Sequence, residues 1–509
     1  MAPRTRPNIL VITTDQQRWD ALSLWGSPGY RTPNIDRIGT DGVCFDRTYT
    51  PSPVCTPARV SVITGQYSTR HLAWTIGMVP VPALEGPTLG SLLTAAGYHT
   101  AIIGKTHFVA RSIEDQHVAG VPLDAECPGS DYWSSFDGPY VGFEHVRHHR
   151  HHNAADIPNA HYRVWLERQG LDLDEIHAKG RPERGYAGVW QEMKPEWTQN
   201  AWITDETVSW LDRISGDGKP WCVMANYQDP HYPLICPEPY YSGVDMTGVD
   251  LGGMREGEYD DKPPFYRRFI ETNDWSDVDG ERFAPEGRNV PDTKQYDFFP
   301  AAEAIRAYIG MCTMIDDYVG RLLDHLEATG QLENTLVVFT SDHGDMLGRH
   351  GMWYKGLPAF DDQQRVPGLA MWQAAQPGPI GHSASHFNLV DIVPTALHAA
   401  GLPPERFVQG VSQLPVLRGK TDVVRDWALV DHVASPSVRQ QTFVHDEWKL
   451  VTYSHADYGE LYDLANDPDQ YRNLWDVPEA QERKMRMLLR LGQARMKAIG
   501  ELPERIFHA

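Results

Sequence analysis

The chain lacks any apolar run long enough to cross a membrane. Its first, Asn8 to Ile12, is too short even for a signal-peptide core, and no later run approaches a span. This predicts a soluble, cytoplasmic protein with no membrane partner; the mature form of a secreted protein is the alternative. Positive charge is also short. There are 46 Lys and Arg against 68 Asp and Glu, a net charge of −22. That balance argues against nucleic acid or an anionic membrane as a partner, and an anionic substrate would need a local cluster of positive groups. Cysteine is scarce: Cys44, Cys55, Cys127, Cys222, Cys236 and Cys312 make six, and none forms a C-x-x-C pair. Neither a zinc ribbon nor a dithiol redox site is indicated, and scattered cysteines of this kind are expected as small buried hydrophobes. There is no internal repeat, and the one low-complexity tract is HHRHH at 148–152.

What the chain does have is length and an ordinary interior. Its 509 residues fit several domains of about 100–200 residues, or one large α/β domain on a long sheet. With 41% hydrophobic and 22% charged residues, it can bury a large core without disulfides. Short apolar runs alternate with helical patterns. NILVITTD (8–15), Thr100 to Ile103, WCVMANYQDPH (221–231) and NTLVVFTSDHGD (334–345) are predicted strands. Leu89, Leu92, Leu93 and Ala96 share one helix face, closed by Gly97. Ile305, Ile309, Cys312, Ile315, Val319, Leu322 and Leu326 recur at three- and four-residue steps through a helix over 302–330. The alternation predicts an α/β fold, a large and mostly parallel sheet sandwiched by helices. Residues 108–220 and 236–300 show no clear periodicity and are expected as long insertions above the sheet edge. Beyond residue 420 the texture turns to hairpins (439–464) and one amphipathic helix (479–500). The expected organisation is a main domain over 1–420 and a smaller α+β unit over 421–509.

Each predicted strand ends in polar residues able to do chemistry: Asp15-Gln16, Lys105-x-His107, Asn226 to His231, and Asp342-His343. Open α/β sheets bind ligands outside the carboxyl ends of their strands, so four such exits point to one shared site. Asp15, Asp342 and His343 form a mixed oxygen and nitrogen ligand set. Carboxylates with a carboxamide oxygen suit Ca²⁺ or Mg²⁺, and an imidazole favours Mn²⁺; the alternative is that the carboxylates cap turns. In PSPVCTPARVSVITGQY (51–67), Pro57 suits a helix's first turn and Arg59 lies one turn in. Free helix N–H groups and an arginine fork attract a tetrahedral anion, and the same field would lower the pKa of Cys55. Locally this predicts a thiolate nucleophile beside an anion site, with an inert buried cysteine as the alternative.

Cys55-Thr56-Pro57-Ala58-Arg59, followed by Thr64-Gly65, resembles the C-x-P-x-R-x4-T-G signature of type I sulfatases in the alkaline phosphatase superfamily. PNILVITTDQ, TPNIDRI, GYHTAIIGKTHF, DPHYP, SDHGDMLG, WYK with the later RVP, and ELYDLANDP follow in family order. The resemblance implies an alkaline phosphatase-like fold and a cysteine oxidised after synthesis to formylglycine, whose hydrate attacks the sulfur of a small anionic ester. It also implies a formylglycine-generating maturation enzyme as a partner. By resemblance, Asp15, Gln16, Asp342, His343 and the converted Cys55 would hold one divalent metal, Ca²⁺ or Mn²⁺. Arg59 would hold the formylglycine hydroxyl, and Lys105 and Lys355 would pair with substrate oxygens. His231 would contact sulfate or protonate the leaving oxygen, and His107 would act as the base on the second hydroxyl.

Gln16 and His343 stand where many members carry a carboxylate and an asparagine. That pattern is similar to the choline-sulfatase and phosphonate monoester hydrolase branches. One carboxylate fewer makes the metal centre more positive and raises Mn²⁺ over Ca²⁺, while Lys105-x-His107 points back to sulfatases. The expected activity is hydrolysis of a sulfate monoester of a small alcohol or phenol. The rivals are a phosphonate monoester or phosphodiester hydrolase on the same scaffold and a silent binding protein with unmodified Cys55. Tyr132, Trp133, Phe136 and Asp137 are candidates for a quaternary-ammonium cage, with packing as the alternative. The VRHHRHHN run is expected as a solvated loop rather than a second metal site. The apolar tail at 496–509 predicts a homo-oligomer, a dimer or tetramer.

Overall fold

The computed structural model describes residues 6–76, 86–108, 130–149, 160–172, 187–272, 277–278, 281–282, 300–435 and 437–499. Eight strands form the main sheet: β1 (Asn8–Thr14), β2 (Val43–Tyr49), β3 (His99–Lys105), β4 (His145–His149), β5 (Trp221–Asn226), β6 (Thr335–Ser341), β7 (Gly368–Met371) and β8 (Gly381–Asn388). Their order is β8-β2-β7-β6-β1-β5-β3-β4, and β7 alone runs antiparallel to its neighbours. The α/β expectation holds.

Successive strand residues point to opposite faces, so an all-apolar strand supplies two cores at once. Ile9 and Val11 of β1 join one buried layer with Val60 and Ile63 of α2 (Cys55–Thr64), Leu89 and Leu93 of α3 (Leu89–Ala95), and Val393 and Leu397 of α6 (Ile392–Ala399). Leu10 and Ile12 join the other with Ile35 and Ile38 of α1 (Pro33–Thr40), Trp202 and Ile203 of α4 (Gln199–Ile214), and Ile315, Val319 and Leu322 of α5 (Ala301–Ala328). Helix α5 ends at the glycine expected to stop it, Gly330 having φ +69°.

The register places the site. Parallel pairing runs from Asn8 with Thr335 to Thr14 with Ser341, so Asp15 and Asp342 leave adjacent strands at one level. Thr13 pairs with Asn226 and Gly104 with Asn226, bringing the exits of β5 and β3 alongside.

The expectation that 108–220 is insertion material is corrected. Strand β4 pairs with β3, and α4 packs on the sheet. Strand β4 reads HVRHH because it is an edge strand whose histidines are buried by aromatic rings rather than aliphatic ones. The solvated-loop expectation fails for the same reason: His148 and His149 are buried, and His149 lies edge-on to Tyr162 at 5.4 Å. His151 and His152 lie outside the described residues, as do Cys127 and the tail 500–509. The other five cysteines are free and buried.

The C-terminal unit is a four-stranded antiparallel sheet, β9 (Trp427–Val433), β10 (Arg439–His445), β11 (Trp448–Tyr453) and β12 (Gly459–Asp463). Helix α7 (Gln481–Lys497) covers it with Met487, Leu491 and Ala494. The unit docks beside the sheet exits. Asp431 N donates to the Pro51 carbonyl at 2.8 Å, and buried Lys449 Nζ reaches Asp361 Oδ1 at 2.6 Å. Among the described residues, no helix is long and apolar enough to cross a membrane.

Candidate active site

Helix α2 starts directly at Cys55 and all ten of its residues are buried. Pro57 sits in its first turn, where a missing N–H costs nothing. The start faces the ends of β1 and β6. Cys55 Sγ lies 3.1 Å from His343 Nε2 and 3.8 Å from Asp15 Oδ1. His343 Nε2 lies 3.7 Å from Asp15 Oδ1 and 3.6 Å from Asp342 Oδ1.

The two carboxylates divide their oxygens between two tasks. Each turns Oδ1 toward Cys55 and His343. Each turns Oδ2 toward cations: Arg59 reaches Asp15 Oδ2 at 3.1 Å and Asp342 Oδ2 at 2.9 Å, and Lys105 also pairs with Asp15 Oδ2. Arg59 also donates to the Lys105 carbonyl at 3.0 Å.

The donor set fits a metal ion. His343 Nδ1 lies 2.8 Å from the Gly344 carbonyl, which can only accept, so the ring proton sits on Nδ1 and Nε2 offers a lone pair. Burial holds this imidazole at about 4, hence neutral near pH 7. Ligand atoms of Asp15, Cys55, Asp342 and His343 all lie within 4.8 Å of one another. Ligands sharing one ion at about 2.0–2.5 Å are separated by at most about 5 Å. Lone pairs converging this closely in a buried site repel unless a cation lies among them.

The expected lowering of the Cys55 pKa is reversed. Burial first, and then the Asp15 charge, push the thiol up to about 11, outweighing Lys355 and Lys105. The helix-start field is legible locally, whereas the carboxylate arrives from a distant strand. Burial works against ionised Asp15 as well, but Lys105, Arg59 and Lys355 hold it well below the carboxylate range.

A second cationic group stands beside the first. Lys355 Nζ donates to Gln16 Oε1 at 2.5 Å and to His231 Nε2 at 3.0 Å. His231 Nδ1 lies 2.7 Å from its neighbour's carbonyl, at Tyr232, so its Nε2 is the acceptor. Burial and Lys355 keep His231 neutral, and burial and Lys105 do the same for His107. His107 has φ +50° and its carbonyl accepts from Thr56 Oγ1 at 2.9 Å, tying the β3 exit to the start of α2. The metal-ligand and catalytic candidates named from the sequence thus stand in one buried neighbourhood at the carboxyl ends of β1, β3, β5 and β6.

Residues 7–402 match the family model described as Sulfatase. The chain belongs to the sulfatase family. Residues 348–497 also match the model for the N-sulphoglucosamine sulphohydrolase C-terminal region. Similar proteins include the uncharacterized sulfatase YidJ of Escherichia coli, 27% identical, covering 92% of this chain and 83% of that one. The choline-sulfatase of Rhizobium meliloti is 27% identical and covers 93% and 83%. Among solved structures, the phosphonate monoester hydrolase SpPMH of Silicibacter pomeroyi aligns over 97% and 96% of the two chains. Its TM-score is 0.77 at 23% identity, a likeness of fold.

Within this sulfatase, one contributor went unnoticed in the sequence. Asp345, buried, accepts a hydrogen bond from Gln16 Nε2 and fixes the amide so that its oxygen faces Lys355. Its signal was available: a second acidic residue in SDHGD, three positions after Asp342. The aromatic candidates fall to packing. Tyr132 stacks on Phe136 at 5.5 Å, Trp133 meets His161 at 5.2 Å, and Asp137 pairs with Arg147.

Proposed function

We propose that this chain hydrolyses a sulfate monoester of a small alcohol or phenol, releasing alcohol and sulfate, with residue 55 acting as formylglycine. Asp15, Asp342, His343 and residue 55, with Gln16 at the same exit, would hold one Ca²⁺ or Mn²⁺. When bound, that ion lowers the pKa of a hydroxyl on residue 55 and screens the substrate's charge.

The observation that carries the reading is a charge count. Arg59, Lys105 and Lys355 balance Asp15, Asp342 and Asp345, all six buried. A divalent ion added among the ligands leaves an excess of two positive charges, which an anionic ester offsets. Lys105 and Lys355 then pair with oxygens that gain charge as the ester bond breaks, and such preorganised charge is the largest common contribution to catalysis. Neutral His107 can take a proton from residue 55. His231 Nε2, which accepts from Lys355, would contact the sulfate or, on taking a proton from Lys355, pass it to the leaving oxygen. The small partners are the ester and a maturation enzyme that converts Cys55.

Two measurements test the reading. Peptide mass spectrometry should show Cys55 lighter by about 18 Da, the change from thiol to aldehyde. An unchanged residue in active enzyme overturns the formylglycine assignment. The second reading, a phosphonate monoester or phosphodiester hydrolase, draws on the fold likeness to SpPMH and on Gln16 and His343. It wins if kcat/KM for an aryl phosphonate ester exceeds that for an aryl sulfate by tenfold or more.

A further inference from the structure

Half of the large exposed apolar side chains among the described residues fall in one fifteen-residue stretch. Met485, Leu488, Leu489, Met496 and Ile499 are 40–70% exposed, and five others are spread over the rest of the chain. Helix α7 already buries its inner face through Met487, Leu491 and Ala494. At about 100° per residue, Met485, Leu488, Leu489 and Met496 form a strip on the solvent side, roughly 150° around from that face, and Ile499 follows in the turn just past the helix end. A soluble helix with a second apolar face has something to cover it.

Four of the five strip residues are symmetric in sequence about Gly492, and the fifth, Leu489, has Arg495 as its counterpart. Met485 and Ile499 lie seven residues to either side, and Leu488 and Met496 lie four to either side. Gly492 itself is exposed. A Cβ there would meet nothing within 4 Å among the described residues, and its backbone is ordinary helix. Among the described residues, nothing in the packing calls for glycine there, although glycine weakens a helix interior.

We infer that this strip joins two copies of the chain, their α7 helices crossing antiparallel about a two-fold axis at Gly492. An isologous contact sets one patch against itself, so a residue on the axis meets its own copy. The absence of a side chain there lets the helices approach closely. The same axis sets Met485 of one copy opposite Ile499 of the other, and Leu488 opposite Met496. A heterologous partner would not require the palindrome. Arg483, Arg486, Arg490 and Lys497 lie along one flank of the strip, where Arg486 pairs with Glu482 of its own helix, on a chain whose net charge is −22. The same net charge opposes docking on an anionic lipid surface. The helix end is held for the contact: Arg70 donates to the Ile499 carbonyl at 3.0 Å, and Gln409 to that of Ala498.

The test is light scattering and sedimentation of the full chain across a dilution series. Gly492→Leu and Leu489→Glu would be compared with wild type, and circular dichroism and aryl-sulfatase activity checked for each. Wild type should have at least twice the 57.5 kDa of one chain. Both variants should keep the wild-type spectrum and activity while the dissociation constant rises on the order of 100-fold. Two results overturn the inference. One is a wild-type monomer at every concentration, whether or not it binds phosphatidylserine vesicles. The other is an oligomer whose mass neither variant changes.

Discussion

Removing Arg59 tests how the two carboxylates share their charge. Arg59→Gln takes away one buried cation that touches Asp15 Oδ2 at 3.1 Å and Asp342 Oδ2 at 2.9 Å. Breaking a buried ion pair by deleting one partner costs about 3–5 kcal/mol, because the other charge is stranded. Lys105 still serves Asp15, so the stranded group is Asp342, and the lower end, about 3 kcal/mol, is expected. A divalent ion on the Oδ1 side supplies the missing positive charge, so it should bind the variant relatively better. In chelator the urea midpoint of Arg59→Gln should fall by the full amount. In saturating Ca²⁺ or Mn²⁺ the deficit should shrink to about 1–2 kcal/mol, because a variant that binds the ion about tenfold tighter than wild type regains about 1.4 kcal/mol at saturation. Arg59→Lys, which keeps the charge and loses the fork, should fall between. Equal deficits with and without metal would refute the division of oxygens between cation and metal.

Three further outcomes follow from single residues. Burial holds His432 at about 4. Unfolded histidine titrates near 6.5, so between pH 6.5 and 4 the unfolded chain takes a proton that the folded chain refuses. The stability from neutral His432 is whole above pH 6.5 and falls as pH drops toward 4. His432→Gln should flatten the urea-midpoint slope by about 1.4 kcal/mol per pH unit in that window, and an unchanged slope contradicts it. Lys355→Met should lower kcat/KM for an aryl sulfate by about 10²–10³-fold with little change in Tm; a loss confined to KM would make Lys355 a binding group alone. Gly104 has φ +102°, and a Cβ on it would collide with the Asn226 carbonyl just before Lys105. Gly104→Ala should therefore cost at least about 2 kcal/mol in thermal unfolding and displace Lys105, and wild-type stability in that variant would argue against the backbone placement.

Legibility in the sequence tracked how local each signal was. Strands β1 and β6 were clear because central parallel strands are apolar throughout, and α5 was clear because its inner face repeats at helical spacing. The site was visible where polar residues abruptly end an apolar run. Strand β4 was not, since an edge strand packed by rings needs no aliphatic code. Helix α4, QNAWITDETVSWLDRI, buries threonine and tryptophan, which blurs its period. The direction of the Cys55 shift failed because it depends first on burial in the folded chain and then on Asp15, 40 residues away in sequence. Lys355 stands on a loop with no periodicity, and family resemblance alone singled it out. The reach of Arg59 across two strands is a tertiary fact that no spacing encodes.

The in-register pairing of β1 with β6 bears on how the site comes apart. Asp15 and Asp342 hang from the two middle strands of eight, so no local opening of an edge can separate them. Amide exchange at Thr14 and Ser341 should accordingly be among the slowest in the chain, tracking complete unfolding. The β4 side, held by one neighbour, can breathe by itself. Wear on such a molecule would show first along the β4 edge and last in the pair of carboxylates at the sheet's centre.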